Sequence, residues 1–256
     1  SNPSDSYHIR YQGRVLTPLN WDLKLGVEHS HSYDGGYAYA AADSLRNERY
    51  VVNYNTPSSY SRNLTAAHIN LNKRWEQLNF SSVSSYAHTN DKQFLDADFT
   101  CLDVFDNQKK SHQHLYTQEF TLQSSQKQRI EWTIGAFGFY KDLTNKYIAN
   151  FGTDRFYLLP MKLDHAKYYN NTTTWGIAGY GQVAIRDIWP GMTFTAGLRY
   201  DYEKTELDYR DSLLFSGSEQ YSSYHQSNKK RDFDAWLPKF SLLQQWNSQL
   251  SLYLSI

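Results

Sequence analysis

From Met192 to Lys204 the chain reads MTFTAGLRYDYEK and alternates almost strictly. Met192, Phe194, Ala196, Leu198, Tyr200 and Tyr202 fall on one side of an extended backbone, and Thr193, Thr195, Gly197, Arg199, Asp201 and Glu203 on the other. A period of two is the signature of a strand whose faces meet different solvents. The pattern recurs in Ser6–Val15, Trp21–Ser30, Asn63–Trp75, Leu78–Tyr86, Tyr116–Gln123, Ile130–Lys141, Trp175–Ile185, Ala235–Trp246 and Gln249–Ile256. Together these predict about ten strands. No helical period of comparable length is present.

The connections alternate too. LTPLN, RWEQ, SSQKQR, RDIWPG and NS are short, whereas 32–62, 87–115, 142–174 and 204–234 are long. Long structureless loops are uncommon in compact soluble domains, while short turns at one rim and long loops at the other describe an outer-membrane barrel. A soluble sandwich would carry turn signals roughly every 8 to 12 residues, and this chain does not. The expected fold is therefore all-β: an antiparallel up-and-down transmembrane β-barrel segment, with short periplasmic turns, long extracellular loops, lipid on the apolar face and a wet lumen. In that fold Trp21, Trp132, Phe194 and Leu198 point outward, and Lys24, Glu131, Arg199 and Asp201 inward.

Composition sharpens this reading. Acidic and basic side chains balance at 26 each, so no global field points to nucleic acid. Aromatics make up 16 % of the 256 residues although mean hydropathy is −0.72, a pairing that a sheet with one wet face reconciles. Trp21, Trp75, Trp132, Trp175, Trp189, Trp236 and Trp246 lie at or near strand ends, where amphipathic rings rest at headgroup level. Aromatics are also good strand formers, so it is their position that favours lipid. The single Cys101 excludes an internal disulfide and a thiolate metal cluster.

Candidate chemistry is sparse. His29 with His31 and His112 with His114 are HxH pairs whose rings share one strand face, a spacing that zinc and iron sites use. No third ligand stands near either pair in sequence, and polar residues on a wet wall give the same spacing. Asp96 with Asp98, and Glu203 with Glu206, have the spacing of paired acids for glycoside hydrolysis, yet alternation alone produces it. Phosphate loops, nucleophile elbows and metalloprotease motifs do not appear. No catalytic residue, metal or cofactor is assigned. The best functional residues are in the loop Tyr33–Tyr60, where Tyr37, Tyr39, Arg46, Arg49, Tyr50 and Tyr54 would offer rings and cations to an anionic ligand. The alternative for these tyrosines is a strand pair extended above the membrane.

Four pieces, in order, carry a family resemblance: Ser81–Tyr86; Gln118–Leu122 with Trp132–Tyr140; Tyr180–Gln182 with Phe194–Asp201; and Pro238–Ser241 with Leu252–Ser255. Their sequence resembles the middle of the barrel of TonB-dependent outer-membrane receptors. The resemblance implies energised uptake of a scarce ligand across the bacterial outer membrane, above all a ferric siderophore or other small-molecule iron complex. It implies two partners, outer-membrane lipid and the inner-membrane TonB energising complex, the latter reached through a plug domain. No plug is recognisable, and the chain stops within a hairpin, so residues 1–256 are expected to form one partial barrel domain lacking C-terminal strands. The rival reading is a soluble extracellular β-sheet module that binds carbohydrate through surface aromatics.

Overall fold

The computed structural model describes residues 3–36, 54–125, 128–157, 162–218 and 220–256. Ten antiparallel strands form one sheet in sequence order: β1 (Ser4–Leu16), β2 (Trp21–Asp34), β3 (Ser59–Arg74), β4 (Leu78–Asp96), β5 (Phe105–Ser124), β6 (Ile130–Phe151), β7 (Leu163–Arg186), β8 (Met192–Phe215), β9 (Ser222–Gln245) and β10 (Ser251–Ser255). Hairpin connections give this order, and β1 and β10 are the two edges. All ten predicted strands are present.

Register decides what each face carries. Arg199 lies opposite Tyr180, Tyr180 opposite Gly135, Phe137 opposite Glu119, Glu119 opposite Val83, Val83 opposite Asn70 and Asn70 opposite Lys24. Followed across the ladder, Lys24, Glu131, Arg199 and Asp201 share one face, and Trp21, Trp132, Phe194 and Leu198 share the other. On the polar face the Tyr180 hydroxyl of β7 donates to Glu119 of β5 at 2.7 Å and lies 3.0 Å from the Thr121 hydroxyl. The Arg199 guanidinium of β8 sits 5.9 Å from the Phe137 ring of β6. Neighbouring strands are about 4.8 Å apart, so side chains two strands away meet only on the concave side of a curved sheet. The polar face is the inner one. Gly135 makes room for this convergence, because a Cβ there would come within 2.1 Å of the Tyr180 ring.

The outer face carries a belt of exposed apolar side chains, among them Ile177 at 58 %, Ile134 at 51 % and Leu198 at 48 % of full exposure. Aromatics border it. At the short-turn rim are Trp21, Trp75, Trp132, Trp189 and Trp246; Lys73 lays its stem there, with its ammonium 5.2 Å from the Trp21 ring and 5.9 Å from that of Trp75. At the other rim Tyr86 meets Tyr116 at 4.8 Å, Tyr116 meets Tyr140 at 6.4 Å, Trp175 meets Tyr202 at 5.6 Å and Tyr200 meets Trp236 at 4.6 Å. From Ile130 to Tyr140, a strand tilted by roughly 40° rises about 26 Å, close to the apolar height of an outer-membrane barrel. Crossing is by strands; among the described residues no helix is long and apolar enough to span a membrane.

The long connections are shorter than the sequence suggests. Residues 87–96, 105–115, 142–151, 163–174, 204–215 and 222–234 belong to strands, leaving 97–104, 152–162 and 216–221 as connections. Residues 35–58 join β2 to β3. Beyond the aromatic rim both faces meet water, so His88, Asn90 and Lys92 are no more polar than Thr89, Asp91 and Gln93. The ladder continues there without the hydrophobic alternation that announces a strand. The buried apolar residues cluster at this end: Ala149, Leu163 and Ala166 pack with Tyr147, Phe151, Tyr168 and Leu213.

Candidate functional site

The long-loop rim is a hydrogen-bonded cap that ties several connections together. Its centre is Asp96 at the end of β4, only 1 % exposed. Its carboxylate accepts the amides of Phe99 at 3.1 Å and Thr56 at 3.4 Å, and its own amide donates to the Ser58 hydroxyl at 2.9 Å. Burial raises its pKa above the ordinary aspartate value, and the charge of Asp98 adds to the effect. Asp98 closes the turn, accepting from the amide and hydroxyl of Thr100 at 2.9 and 2.6 Å and from the amide of Phe105 at 3.1 Å. Phe99 has φ of 56°, an outlier for a bulky residue, and is held by its bond to Asp96. Its ring centroid is 6.1 Å from that of Tyr54.

A second set of bonds links the next loops. Asp103 accepts from the amide of Thr153 at 2.9 Å, and its own amide donates to Asp154 at 3.0 Å. Arg155, in the short 3-10 turn Arg155–Tyr157, donates to the Gly152 carbonyl and the Ser216 hydroxyl, both at 2.7 Å, and pairs with Asp164 at 2.8 Å. Its side chain is 14 % exposed, so this is a largely desolvated cation spanning 152–162 and 216–221. Neither Asp96 nor Arg155 is singled out as structural by alternation. The available signal is the Asp98-Phe99-Thr100 spacing, which reads as an Asx turn.

Of the sequence-predicted ligand residues, Tyr54 belongs to this cap, while Tyr37, Tyr39, Arg46, Arg49 and Tyr50 lie outside the described residues. The paired-acid candidates do not pair for chemistry. Asp96 and Asp98 are taken up by backbone amides, and Glu203 faces the lumen while Glu206 faces outward to Lys230 at 3.1 Å. The HxH pairs sit on the outer face just past the aromatic rim. His29 contacts Thr65 at 2.9 Å and His31 contacts Asn63 at 2.8 Å. Register also brings His88 to His114, ring centroids 4.4 Å apart, a pairing the sequence spacing does not reveal. Among the described residues no three His, Cys, Asp or Glu side chains come together as a metal site. Cys101 is a free, exposed thiol in the 97–104 connection.

The inner wall below the cap is polar and aromatic. Arg199 donates to both carboxylate oxygens of Asp201 at 2.7 to 3.0 Å while lying 5.8 Å from the Tyr180 ring, beside the bond from Tyr180 to Glu119. Arg62 makes a two-pronged pair with Asp91, both bonds 2.8 Å, higher on the same face. These fixed charges and donors give the lumen a wet lining that can exchange hydrogen bonds with a polar solute or an inserted domain.

Comparisons with known proteins agree with this geometry. The structure resembles the ferric yersiniabactin uptake receptor FyuA from Yersinia pestis, with a TM-score of 0.79 and 10 % identity over 98 % of this chain and 37 % of that one. It also resembles the open form of the ferric-catecholate import receptor Fiu from E. coli K12, with a TM-score of 0.66 and 12 % identity over 99 % and 46 %. A third is the siderophore receptor PiuA from Acinetobacter baumannii, with a TM-score of 0.64 and 10 % identity over 98 % and 41 %. At such identity the likeness is one of fold, and the chain spans less than half the length of each. No curated protein matches the sequence. The family model described as "TonB dependent receptor-like, beta-barrel" matches residues 2–256, and the chain belongs to that family.

Proposed function

We propose that this chain forms part of the wall of a bacterial outer-membrane receptor that takes up a scarce small ligand, most specifically a ferric siderophore or another iron complex. The observation that carries the reading is the family match over residues 2–256, on a sheet whose outer face is a belt bordered by aromatics. FyuA, Fiu and PiuA, named for ferric yersiniabactin, ferric catecholate and siderophores, support the choice of ligand class. In this reading the residues act as part of a longer barrel. Energy comes from the inner-membrane TonB complex through a plug domain, and the wall itself catalyses nothing.

Ligand capture is assigned to the extracellular cap and to the tyrosine and arginine residues of the loop between Tyr33 and Tyr60. A rigid scaffold presenting recognition residues on loops is the general arrangement, and the bonds through Asp96, Asp103 and Arg155 supply that rigidity. The test is to shorten this loop in the intact receptor and measure growth on iron-complex ligands under iron limitation. Insertion and heat resistance should persist while ligand-dependent growth falls. Growth equal to that of the parent on every candidate ligand would remove the loop from recognition.

A further inference from the structure

Inside the lipid-facing belt, β4 and β5 carry polar side chains where the neighbouring strands are apolar. Ser82 and Ser84 follow Phe80 on the outer face of β4, and Gln118 of β5 stands directly opposite Ser84. The same levels carry Leu71 and Ile69 on β3, and Ala136 and Gly138 on β6. On strands tilted by roughly 40°, Gln118 lies about 5 Å and Ser82 about 10 Å below Tyr116 and Tyr86 of the upper rim, within hydrocarbon. Gln118 donates to the Ser82 hydroxyl at 3.0 Å and to the Glu119 carbonyl at 3.2 Å, and its side-chain oxygen accepts the Ser84 hydroxyl. A second lone pair on that oxygen and the Ser82 O–H are left without a partner among the described residues. Lipid tails supply neither a donor nor an acceptor, which makes polar groups at this depth costly and rare.

Beside this cluster the wall is hollow. Ser84, Gln118 and Gly138 form the floor, and Tyr86, Tyr116 and Tyr140 the upper lip, of an outward-opening concavity of about 490 Å³. Phe120, the next outward residue below Gln118 on β5, projects beside it with 48 % of its surface exposed. A hollow of about 150 Å³ already admits a benzene-sized ring, so a phenylalanine side chain fits. Knob and hollow are adjacent, as are the unused donor and acceptor, and a partner of one polarity would satisfy only half of the cluster. A two-fold axis along the membrane normal brings each Phe120 to the hollow of the other copy, and each Ser82 O–H to the Gln118 oxygen of the other copy; such an interface uses one patch twice. The small floor residues let two walls approach closely, and hydrogen bonds between them replace contacts with lipid. We propose that this patch is the contact surface of a symmetric dimer, with a second copy of the chain seated against β4 to β6 in the plane of the membrane. The proposal goes beyond uptake and does not depend on which ligand the receptor takes.

The test uses the intact receptor, fluorescently labelled and reconstituted into lipid vesicles at low density. Single-molecule photobleaching counts copies, and heat-modifiable migration checks folding. The parent should show a dimer population, which Gln118→Leu and Gly138→Leu should each reduce at least fivefold. A Cβ at Gly138 meets nothing nearer than 3.7 Å, so leucine there fills the hollow without disturbing the wall. Phe194→Leu, on the outer face of β8, should leave the dimer population unchanged. In whole cells, a benzophenone amino acid in place of Phe120 should crosslink the receptor to a second copy of itself. Monomers alone for the parent overturn the proposal, as does an unaltered dimer fraction in either folded leucine variant. Crosslinks to a different outer-membrane protein, or to lipid alone, overturn the assignment to a second copy.

Discussion

Leu198→Arg is the most direct test of which solvent meets which face. Leu198 lies in β8 between Phe194 and Tyr202 on the outer face, near the middle of the belt, and is 48 % exposed. Its cross-strand neighbours are Gly181 and Pro238, neither of which has a side-chain group to accept from a guanidinium. The belt's half-thickness of about 13 Å exceeds the reach of an extended arginine, so the charge would remain in hydrocarbon. A cationic side chain at that depth costs about 2 to 4 kcal/mol, or roughly 30- to 700-fold in the folding equilibrium. Thr195→Arg is the matched control. Thr195 is on the inner face between Ala184 and Ser241, where a guanidinium meets water and small neighbours, and it should cost under about 1 kcal/mol. Reversible guanidinium unfolding of the intact receptor in lipid vesicles, followed by tryptophan fluorescence, gives both values. If Thr195→Arg costs as much as Leu198→Arg, or more, the assignment of lipid to the outer face is wrong.

Arg155→Met should leave the transmembrane sheet assembled while freeing the cap. It removes the contacts to Ser216 and the Gly152 carbonyl and leaves Asp164 without its cation, a loss of about 1 to 3 kcal/mol read as faster proteolysis within 152–162 and 216–221; unchanged cleavage rates would remove Arg155 as the tie. Asp96 makes the cap pH-dependent: its folded pKa is raised, so its stabilising contribution is complete below the ordinary aspartate value near 4 and is lost as pH rises through the folded pKa. Hydrogen exchange at Phe99 and Thr100, corrected for intrinsic rates, should report looser protection as pH climbs through that window, and Asp96→Asn should abolish the trend; the same trend in the variant would exclude Asp96 as its source.

The transmembrane part of this fold is legible because lipid and water impose opposite demands on alternate residues. Between Met192 and Tyr202 every even position is apolar, so strand, face and register parity all follow from the letters. Past Tyr86 or Tyr140 that constraint disappears. His88 and Thr89, or Asp142 and Leu143, meet the same water on both sides, so strands that continue to Asp96 and Phe151 read as loops. Tyr54 was legible as a rim residue. The buried role of Asp96 was not, because a carboxylate satisfied by backbone amides has the same sequence signature as one on a wet wall.

The limit is sharpest where a cluster depends on register rather than spacing. Lys92, Lys110 and Lys146 sit in three different strands, the first two between polar neighbours and the third between Asn145 and Tyr147. Their meaning as a row exists only because Lys92 pairs with Lys110 and Lys110 with Lys146, and a two-residue slip of β5 would place Asn90 or Phe94 opposite Lys110 instead. Alternation fixes the parity of that register but not its value. The value is set by turn lengths at the short-turn rim and by inner-face contacts such as Ser85 with Thr117 at 2.6 Å between β4 and β5, Tyr180 with Glu119, and Arg199 over Phe137, which hold β4 to β8 in one alignment. The inner wall thus aligns charges on the outer wall that no single strand's sequence brings together.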